Sequence, residues 1–259
     1  MNEATASPLA QKTLVTFLLD RSGSMGDIRD TTISAFNEYL DGLRGDGEDL
    51  IAFSLVTFDS QSMDKVCVAV PAATAPRLSR ENYVPRSSTP LIDASVITIR
   101  AVEASMEMRG NPKVVICIQT DGLENASIDH TWDELKKLVE AKTKDGWQFN
   151  FIGAGINAYE QGSKMGVSYA ATMSYDTDEA STHSAFKDSA ANTVAYATGR
   201  AADTSYSPEQ KTAAGDKYVG AQQPQSPRQK TMWPRRGRAL RGAFSLDDKA
   251  AADKFSLTD

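Results

Sequence analysis

Three apolar runs of strand length constrain the fold more than any other feature of this chain. Residues 13–19, 51–58 and 113–120 are rich in Val, Ile, Leu and Phe and show little alternation with polar residues. Such runs are typical of strands that are buried on both faces, as in a parallel sheet. Between the first two runs, apolar residues recur at helical spacing over residues 28–43, which predicts a helix there. This strand-helix order predicts an α/β protein with a doubly wound, mostly parallel central sheet and helices on both faces.

The other predicted elements follow the same order. Residues 65–70 come only a few polar positions after the second strand, so we expect a hairpin with one antiparallel edge strand. A proline-containing irregular connection leads to a helix over residues 91–108. Further helices are predicted over 132–144, 159–165 and 179–198, with strands over 148–153 and 168–173. The domain is therefore expected to span residues 13–199, between an N-terminal extension, 1–12, and an irregular polar C-terminal tail, 200–259.

A carboxylate and two hydroxyls follow the first strand. Asp20, Ser22 and Ser24 alternate with residues that allow a tight turn, and Gly23 removes the steric objection to an unusual backbone angle. Oxygen ligands without Cys or His suit a hard divalent cation, Mg²⁺ first and then Mn²⁺ or Ca²⁺. The alternative is that these side chains cap the next helix, as Asp and Ser often do.

Two more polar residues are expected at the same edge of the sheet. Asp121 follows the strand over 113–120, and Thr89 lies on the connection that precedes the next helix. Ligands of open α/β sheets collect beyond the carboxyl ends of the strands, so Asp20 and Asp121 should lie close together. The five residues, in this order, resemble the metal-ion-dependent adhesion site (MIDAS) of the von Willebrand factor A (vWA) family. That site uses Asp-x-Ser-x-Ser, a later Thr and an Asp after a central strand.

The resemblance covers roughly residues 10–199 and implies a vWA, Rossmann-like fold. Residues 151–156, Phe-Ile-Gly-Ala-Gly-Ile, are similar to those of stand-alone bacterial and phage members. By resemblance, Ser22 and Ser24 ligate the ion directly, Asp20 and Asp121 act largely through water, and Thr89 does either. The resemblance implies a protein-interaction module in which an acidic side chain of a partner completes the coordination of Mg²⁺. A component of a larger assembly, such as a phage particle, fits the similar members.

Four residues near this site are candidates for partner contact. They are Met25, Asp59, Glu124 and Asn125. Each has a structural alternative: Met25 can pack in the core, Asp59 and Asn125 can form caps or turns, and Glu124 can be a solvated charge.

The charge is distributed unevenly along the chain. Residues 226–259 carry eight Lys and Arg against four Asp, a net charge of +4, so the rest of the chain carries −10. We expect this basic tail to dock on an acidic protein surface, which can be this protein's own acidic body or a neighbouring copy, among others. The alternative is an accessory role on nucleic acid, through phosphate contacts and stacking on Trp233. The candidate contact residues over 228–241 are Arg228, Lys230, Trp233, Arg235, Arg236, Arg238 and Arg241.

The residues that many enzymes need are missing from the sequence. A haloacid-dehalogenase-type phosphatase requires a second carboxylate two positions after the first, and here Ser22 takes that position. Neither a phosphate-binding Gly-x-x-x-x-Gly-Lys-Ser/Thr loop nor a Gly-x-Ser-x-Gly elbow occurs. His130 and His183 are the two histidines and are expected at the surface. We therefore expect no enzyme activity and set aside a metal-dependent hydrolase.

The cysteines and the lengths of the apolar segments indicate the cellular compartment of the protein. Cys67 and Cys117 lie in strand-like runs and are expected to be reduced core residues. The N-terminal residues lack the basic start and apolar segment of a signal peptide, and no apolar stretch is long enough to span a membrane. The sequence therefore predicts a cytoplasmic protein, or alternatively a virion component, that does not bind a membrane.

Overall fold

The centre of the protein is a six-stranded mixed sheet. The structure is a computed structural model that describes residues 12–45, 48–106 and 110–219. The strands are β1 Thr13–Asp20, β2 Ile51–Phe58, β3 Met63–Pro71, β4 Lys113–Thr120, β5 Gln148–Ala154 and β6 Thr172–Tyr175. Their order is β3-β2-β1-β4-β5-β6, and every neighbouring pair is parallel except β2 and β3. The predicted fold class and the antiparallel edge strand are confirmed.

Helices cover both faces of the sheet. They are α1 Arg29–Leu43, α2 Leu91–Ser105, α3 Trp132–Lys144, α4 Ala158–Met165, α5 Glu179–Ala197 and α6 Pro208–Ala213. One hydrophobic core lies between the sheet and α1 with α5, and a second lies between the opposite face and α2, α3 and α4. Because β1 and β4 are central, their residues contribute to both cores, which explains their nearly continuous apolar sequences.

The last strand begins later than the sequence predicts. Residues 169–171 form a short 3₁₀ helix, because the Ser168 hydroxyl accepts a hydrogen bond from the Ala171 amide. The strand then starts at Thr172 and not at Ser168. Apolar content alone does not distinguish a capped turn from a strand, and here the side-chain bond of Ser168 decides between them.

The domain continues past Gly199, so the boundary predicted there is too early. Tyr206 is buried, and its hydroxyl lies 2.9 Å from the Ser189 hydroxyl. Asp216 is also buried and accepts hydrogen bonds from the Tyr159 hydroxyl at 2.5 Å and the Ser174 amide at 3.1 Å. The polar composition of this segment suggested a tail, yet Tyr206 and Asp216 are buried and have hydrogen-bond partners.

Several predictions lie outside the described residues. They are the N-terminal extension up to residue 11, the end of the helix predicted to residue 108, and the basic contacts Arg228, Lys230, Trp233, Arg235, Arg236, Arg238 and Arg241. Within the described ranges, no helix is both long enough and apolar enough to cross a membrane. Cys117 is buried and Cys67 is partly buried, and both are free thiols.

Candidate metal centre

Asp20 ends β1 and organises the turn that follows it. It is fully buried, its Oδ1 accepts a hydrogen bond from the Ser22 amide at 2.6 Å, and its Oδ2 accepts one from the Thr120 hydroxyl at 2.5 Å. The Asp20 carbonyl oxygen accepts a bond from the Tyr83 hydroxyl at 2.5 Å. Helix α1 has no side-chain cap, so the helix-capping alternative for this loop does not describe the structure. The carboxylate of Asp20 instead holds the loop that carries the two serines.

The other predicted ligands meet beside this turn. The Ser22 and Ser24 hydroxyl oxygens lie 3.2 Å apart, and the Ser24 hydroxyl donates to Asp121 Oδ1 at 2.7 Å. A Cβ atom at Gly122 would lie 3.4 Å from Thr89 Oγ1 and 3.6 Å from Ser24 Oγ. Thr89 and Ser24 therefore flank the same small space. The fold brings all five predicted residues to the carboxyl ends of β1 and β4.

This donor set fits a hard divalent cation. Mg²⁺ binds oxygens at 2.0–2.1 Å in an octahedron, so oxygens in neighbouring positions lie about 2.9 Å apart. The separations of Ser24 Oγ from Ser22 Oγ and from Asp121 Oδ1, 3.2 and 2.7 Å, lie on either side of that value. No group of three or more His, Cys, Asp or Glu suited to a metal occurs among residues 12–45, 48–106 and 110–219. Any cation held here would depend on hydroxyl oxygens as much as on carboxylates.

Burial affects both carboxylates of the site. Desolvation raises the pKa of Asp20 to about 6, against the opposing effect of the hydrogen bonds from Thr120 and Ser22. Desolvation also raises the pKa of Asp121, and the hydrogen bond from Ser24 opposes it. A cation near these two carboxylates, of which Asp20 is buried and Asp121 is partly exposed, would offset the cost of burying negative charge.

An ion cluster that the sequence did not predict lies behind the site. Arg21 donates from Nε to Asp59 Oδ2 at 2.8 Å and from Nη1 to Asp64 Oδ2 at 2.6 Å. Arg86 donates from Nε to the same Asp59 oxygen at 3.1 Å. Burial acts to raise the pKa of Asp59, but bonds from the Gln61 and Ser62 amides and from Arg21 outweigh it, and the net pKa lies below the ordinary value.

The cluster joins three loops. The Arg86 amide donates to the Arg21 carbonyl at 2.9 Å, and the Gly23 amide donates to the Ser87 carbonyl at 2.9 Å. These bonds place the segment that leads to Thr89 directly on the loop of the two serines. Arg21 occupies the unspecified second position of Asp-x-Ser-x-Ser, and the one signal that could have revealed its role is Asp59 at the end of the neighbouring strand.

The loop after Asp121 is also fixed by side chains. Glu124 Oε1 accepts from the Ala126 and Ser127 amides at 2.8 and 2.7 Å, and Oε2 accepts from the Ile92 amide at 2.8 Å. Helix α2 follows Pro90, which provides no side-chain cap, so Glu124 caps that helix from another loop. Asn125 Oδ1 accepts from the Thr89 amide at 2.9 Å, and the Asn125 amide donates to the Thr89 carbonyl at 3.1 Å.

Two of the four residues predicted to contact a partner are inaccessible. Met25 is fully buried in the core, and its sulfur accepts a hydrogen bond from the Gln119 side chain at 3.8 Å. Asp59 is 2% exposed, and its carboxylate forms ion pairs with Arg21 and Arg86. Both oxygens of Glu124 are occupied by loop and helix amides, so it stabilises the loop. Asn125 alone combines exposure with a direct bond to a site residue.

Comparisons with known proteins agree with this architecture. No protein-family model and no curated protein matches the chain. Proximal thread matrix protein 1 from the mussel byssus superposes with a TM-score of 0.54 and 15% identity over 71% of this chain, which spans 47% of that protein. The von Willebrand factor domain of the type V pili tip protein Mfa5 from Porphyromonas gingivalis gives a TM-score of 0.53 and 10% identity, covering 70% of this chain and 95% of that one. Manganese-loaded TRAP from Plasmodium vivax gives 0.50 and 19% identity, over 66% and 71%.

Fold and site together define an α/β protein with oxygen donors gathered at the carboxyl edge of its sheet. The strand order, the single antiparallel edge strand and the similarity to the pili tip domain agree with one another. The chain has a vWA-type fold.

Proposed function

We propose that this chain is a protein-interaction module that binds an acidic side chain of its partner through a divalent cation, Mg²⁺ first among the candidates. The observation that carries the proposal is the convergence of Ser22, Ser24, Thr89 and Asp121, with the Ser24 hydroxyl 2.7 Å from the Asp121 carboxylate. When bound, the cation would supply an electrophilic centre that a partner's carboxylate can coordinate.

The residues of the chain have distinct roles in this proposal. Ser22, Ser24 and Thr89 would offer uncharged oxygens, and Asp121 one partly exposed carboxylate. Asp20 is occupied by Thr120 and the Ser22 amide, so it would act by positioning the serines and by its charge. Few charged ligands leave a bound cation with unsatisfied attraction for a further anion, which favours an exchangeable partner carboxylate.

Similar structures support the general class of function. One comes from a pili tip protein, and another is a thread matrix protein from the mussel byssus. TRAP is described as loaded with manganese, which supports a divalent cation in this fold. For this chain we propose a role in a larger assembly, of which a phage particle is one candidate. The basic tail would dock on a protein surface, with nucleic acid as the alternative.

One side-chain arrangement bears on enzyme activity. Ser34 Oγ lies 2.9 Å from His183 Nε2, and His183 Nδ1 contacts the Glu38 carboxylate, which is the order of a hydrolytic triad. However, Ser34 lies inside α1, where the neighbouring amides donate along the helix. Amides used in this way cannot stabilise the oxyanion of an acyl transfer. We therefore propose binding and not catalysis.

A metal titration followed by partner capture tests the proposal. Calorimetry should detect Mg²⁺ binding to the full chain, weakened at least about tenfold by Ser22→Ala with Ser24→Ala. Ser163→Ala, an exposed serine on α4, is the matched control and should leave binding unchanged. Proteins captured with Mg²⁺ and identified by mass spectrometry should be released by a chelator. Undiminished capture by the double variant, or in the chelator, would reject the proposal.

A further inference from the structure

Two large apolar side chains are strongly exposed on the loop that joins β4 to α3. Ile128 is 90% exposed and Leu123 is 60% exposed, the highest values among the large exposed apolar residues of the described chain. The others, Val68, Val84, Ile97 and Val219, lie on different segments. Single exposed apolar residues are common, but two on one loop beside a candidate binding site call for an explanation.

The backbone beneath these side chains is held in place. Asp93 Oδ2 accepts from the Ile128 amide at 2.8 Å, and Asp93 Oδ1 accepts from the His130 amide at 2.8 Å. Gln161 accepts from the Glu124 amide at 3.0 Å and donates to the Gly122 carbonyl at 3.0 Å, on either side of Leu123. The loop therefore presents its apolar side chains on a fixed backbone, and a partner would lose little free energy by ordering it.

The loop starts at the candidate metal centre. Leu123 is two residues from Asp121, so their Cα atoms are at most about 7 Å apart. The Asn125 amide donates a hydrogen bond to the Thr89 carbonyl, and the Ile128 amide donates one to the carboxylate of Asp93, in the first turn of α2. The backbone that carries the two apolar side chains therefore runs from the site to the first turn of α2.

The loop after β1 presents small residues at the same site, because the Ser24 hydroxyl on this loop donates to Asp121. Gly23, Ser24 and Gly26 are exposed there, on the loop after β1. A partner segment whose carboxylate reached the site would meet these small residues as well as Leu123. Asp27, which is exposed next to Gly26 on this loop, would repel a second acidic group.

We propose that Leu123 and Ile128 form an apolar subsite that selects the partner. The partner is a protein segment that carries one Asp or Glu with a large apolar residue within a few positions of it. The acidic side chain approaches the metal centre, while the apolar side chain packs on Leu123 and Ile128. This inference rests on the proposed function and adds the chemistry that distinguishes one acidic segment from another.

Selection from a random peptide library tests this subsite on the full chain. With Mg²⁺ present, we expect enrichment of peptides with one acidic residue and a Leu, Ile, Phe or Met within three positions. The variant Leu123→Ser with Ile128→Ser should still enrich acidic peptides but lose the apolar preference. It should bind the selected peptide about tenfold more weakly, with unchanged Mg²⁺ affinity. The control variant Val68→Ser with Ile97→Ser removes exposed apolar side chains from β3 and α2, and it should enrich the same peptides as the unchanged chain.

The outcomes separate the two proposals. Metal-dependent enrichment of acidic peptides without an apolar preference, or a preference retained by the Leu123 and Ile128 variant, would overturn the subsite and leave the proposed function intact. The absence of any Mg²⁺-dependent enrichment would overturn both. Because both side chains are exposed, the melting temperature of the variant should equal that of the control, which excludes loss of folding as the cause.

Discussion

At the scale of single residues, Thr120 shows how the site depends on a residue that is no candidate ligand. Its hydroxyl donates to Asp20 Oδ2 at 2.5 Å and accepts from the Gly122 amide at 3.1 Å. One side chain thus joins the end of β1 to the turn after β4. It orients a buried carboxylate whose charge is expensive to desolvate.

Replacing Thr120 should therefore cost stability. We expect Thr120→Val to lower the free energy of unfolding by about 1–3 kcal/mol, because a buried carboxylate oxygen loses its donor. Thr120→Ser keeps the hydroxyl and should lose at most about 1 kcal/mol, for one methyl group. Urea denaturation in chelator measures both. Equal stabilities for the Val and Ser variants would contradict the role of the hydroxyl.

Lys211 gives a pH-dependent prediction at the same scale. It is buried, its Nζ donates to the Tyr169 carbonyl at 2.7 Å, and it lies over the rings of Tyr159 and Tyr169. Burial lowers the pKa of Lys211 from 10.5 to about 8, and the charge of Asp216 opposes this. Between these values the unfolded chain holds the proton that the folded chain has released, so stability rises with pH.

The variant Lys211→Met tests this pH dependence, because it removes the titrating group and keeps a long side chain. The unfolding free energy of the native chain minus that of the variant should increase between about pH 8 and pH 10.5. Denaturation curves at several pH values measure this difference. A difference that is flat or falls with pH would show that Lys211 stays charged in the folded protein.

At the scale of elements, the site depends on how three loops are joined. The loops after β1 and β2 and the segment before α2 meet at Asp59, which binds both Arg21 and Arg86. The two arginines differ in exposure, since the Arg21 side chain is 8% exposed and that of Arg86 is 42% exposed. The same carboxylate therefore takes part in one buried and one half-exposed ion pair.

The two arginines should differ in their effects on stability. We expect Arg21→Met to cost about 3–5 kcal/mol, because it leaves a buried carboxylate without its main cation. Arg86→Met should cost no more than about 1 kcal/mol, as expected for an exposed pair. Urea denaturation measures the free energy of unfolding of both variants. In a Mg²⁺ titration, the Arg21→Met variant should lose more affinity than the Arg86→Met variant. Similar costs for the two variants would indicate that Asp59 is neutralised in another way.

At the scale of the whole molecule, the domain is completed by residues that follow its last long helix. Tyr206 packs into the core beside α1 and α5, and the side-chain Nδ2 of Asn150 donates to the Thr204 carbonyl at 2.9 Å. Asp216 binds the hydroxyl of Tyr159. Residues 200–219 thus provide partners for polar groups on β5 and α4 that would otherwise be buried without one.

Truncation at two points tests this. A chain that ends at Gly199 should melt at a markedly lower temperature than the full chain or fail to unfold cooperatively, because Asn150 and Tyr159 lose their partners. A chain that ends at Val219 keeps every contact described above and should melt close to the full chain. Thermal unfolding followed by circular dichroism measures both. Equal melting of the Gly199 chain and the full chain would restore the boundary predicted from composition.

The elements that were predicted correctly have local signals. Apolar runs marked β1, β2 and β4, helical spacing marked α1 and α3, and the short polar gap before β3 marked the antiparallel edge. The errors occurred where a side-chain bond overrode composition, as Ser168 did at the start of β6. Helix α6 was missed because it is short and lies in polar sequence, although Ser207 and Gln210 form a capping box there.

The sequence by itself determined the class of fold and placed Asp20 and Asp121 at one edge of the sheet. Both follow from the period of apolar residues and from the rule that parallel strands end at one edge. Ser22, Ser24 and Thr89 were joined to the two aspartates through the resemblance to the vWA family. Only the tertiary structure decided which other residues hold the site in place by hydrogen bonds and ion pairs. Arg21 and Asp59 are 38 positions apart, and Asp20 and Thr120 are 100 apart. Such pairs leave no local pattern, because the free energy of a buried polar contact depends on which distant chain segment supplies the partner.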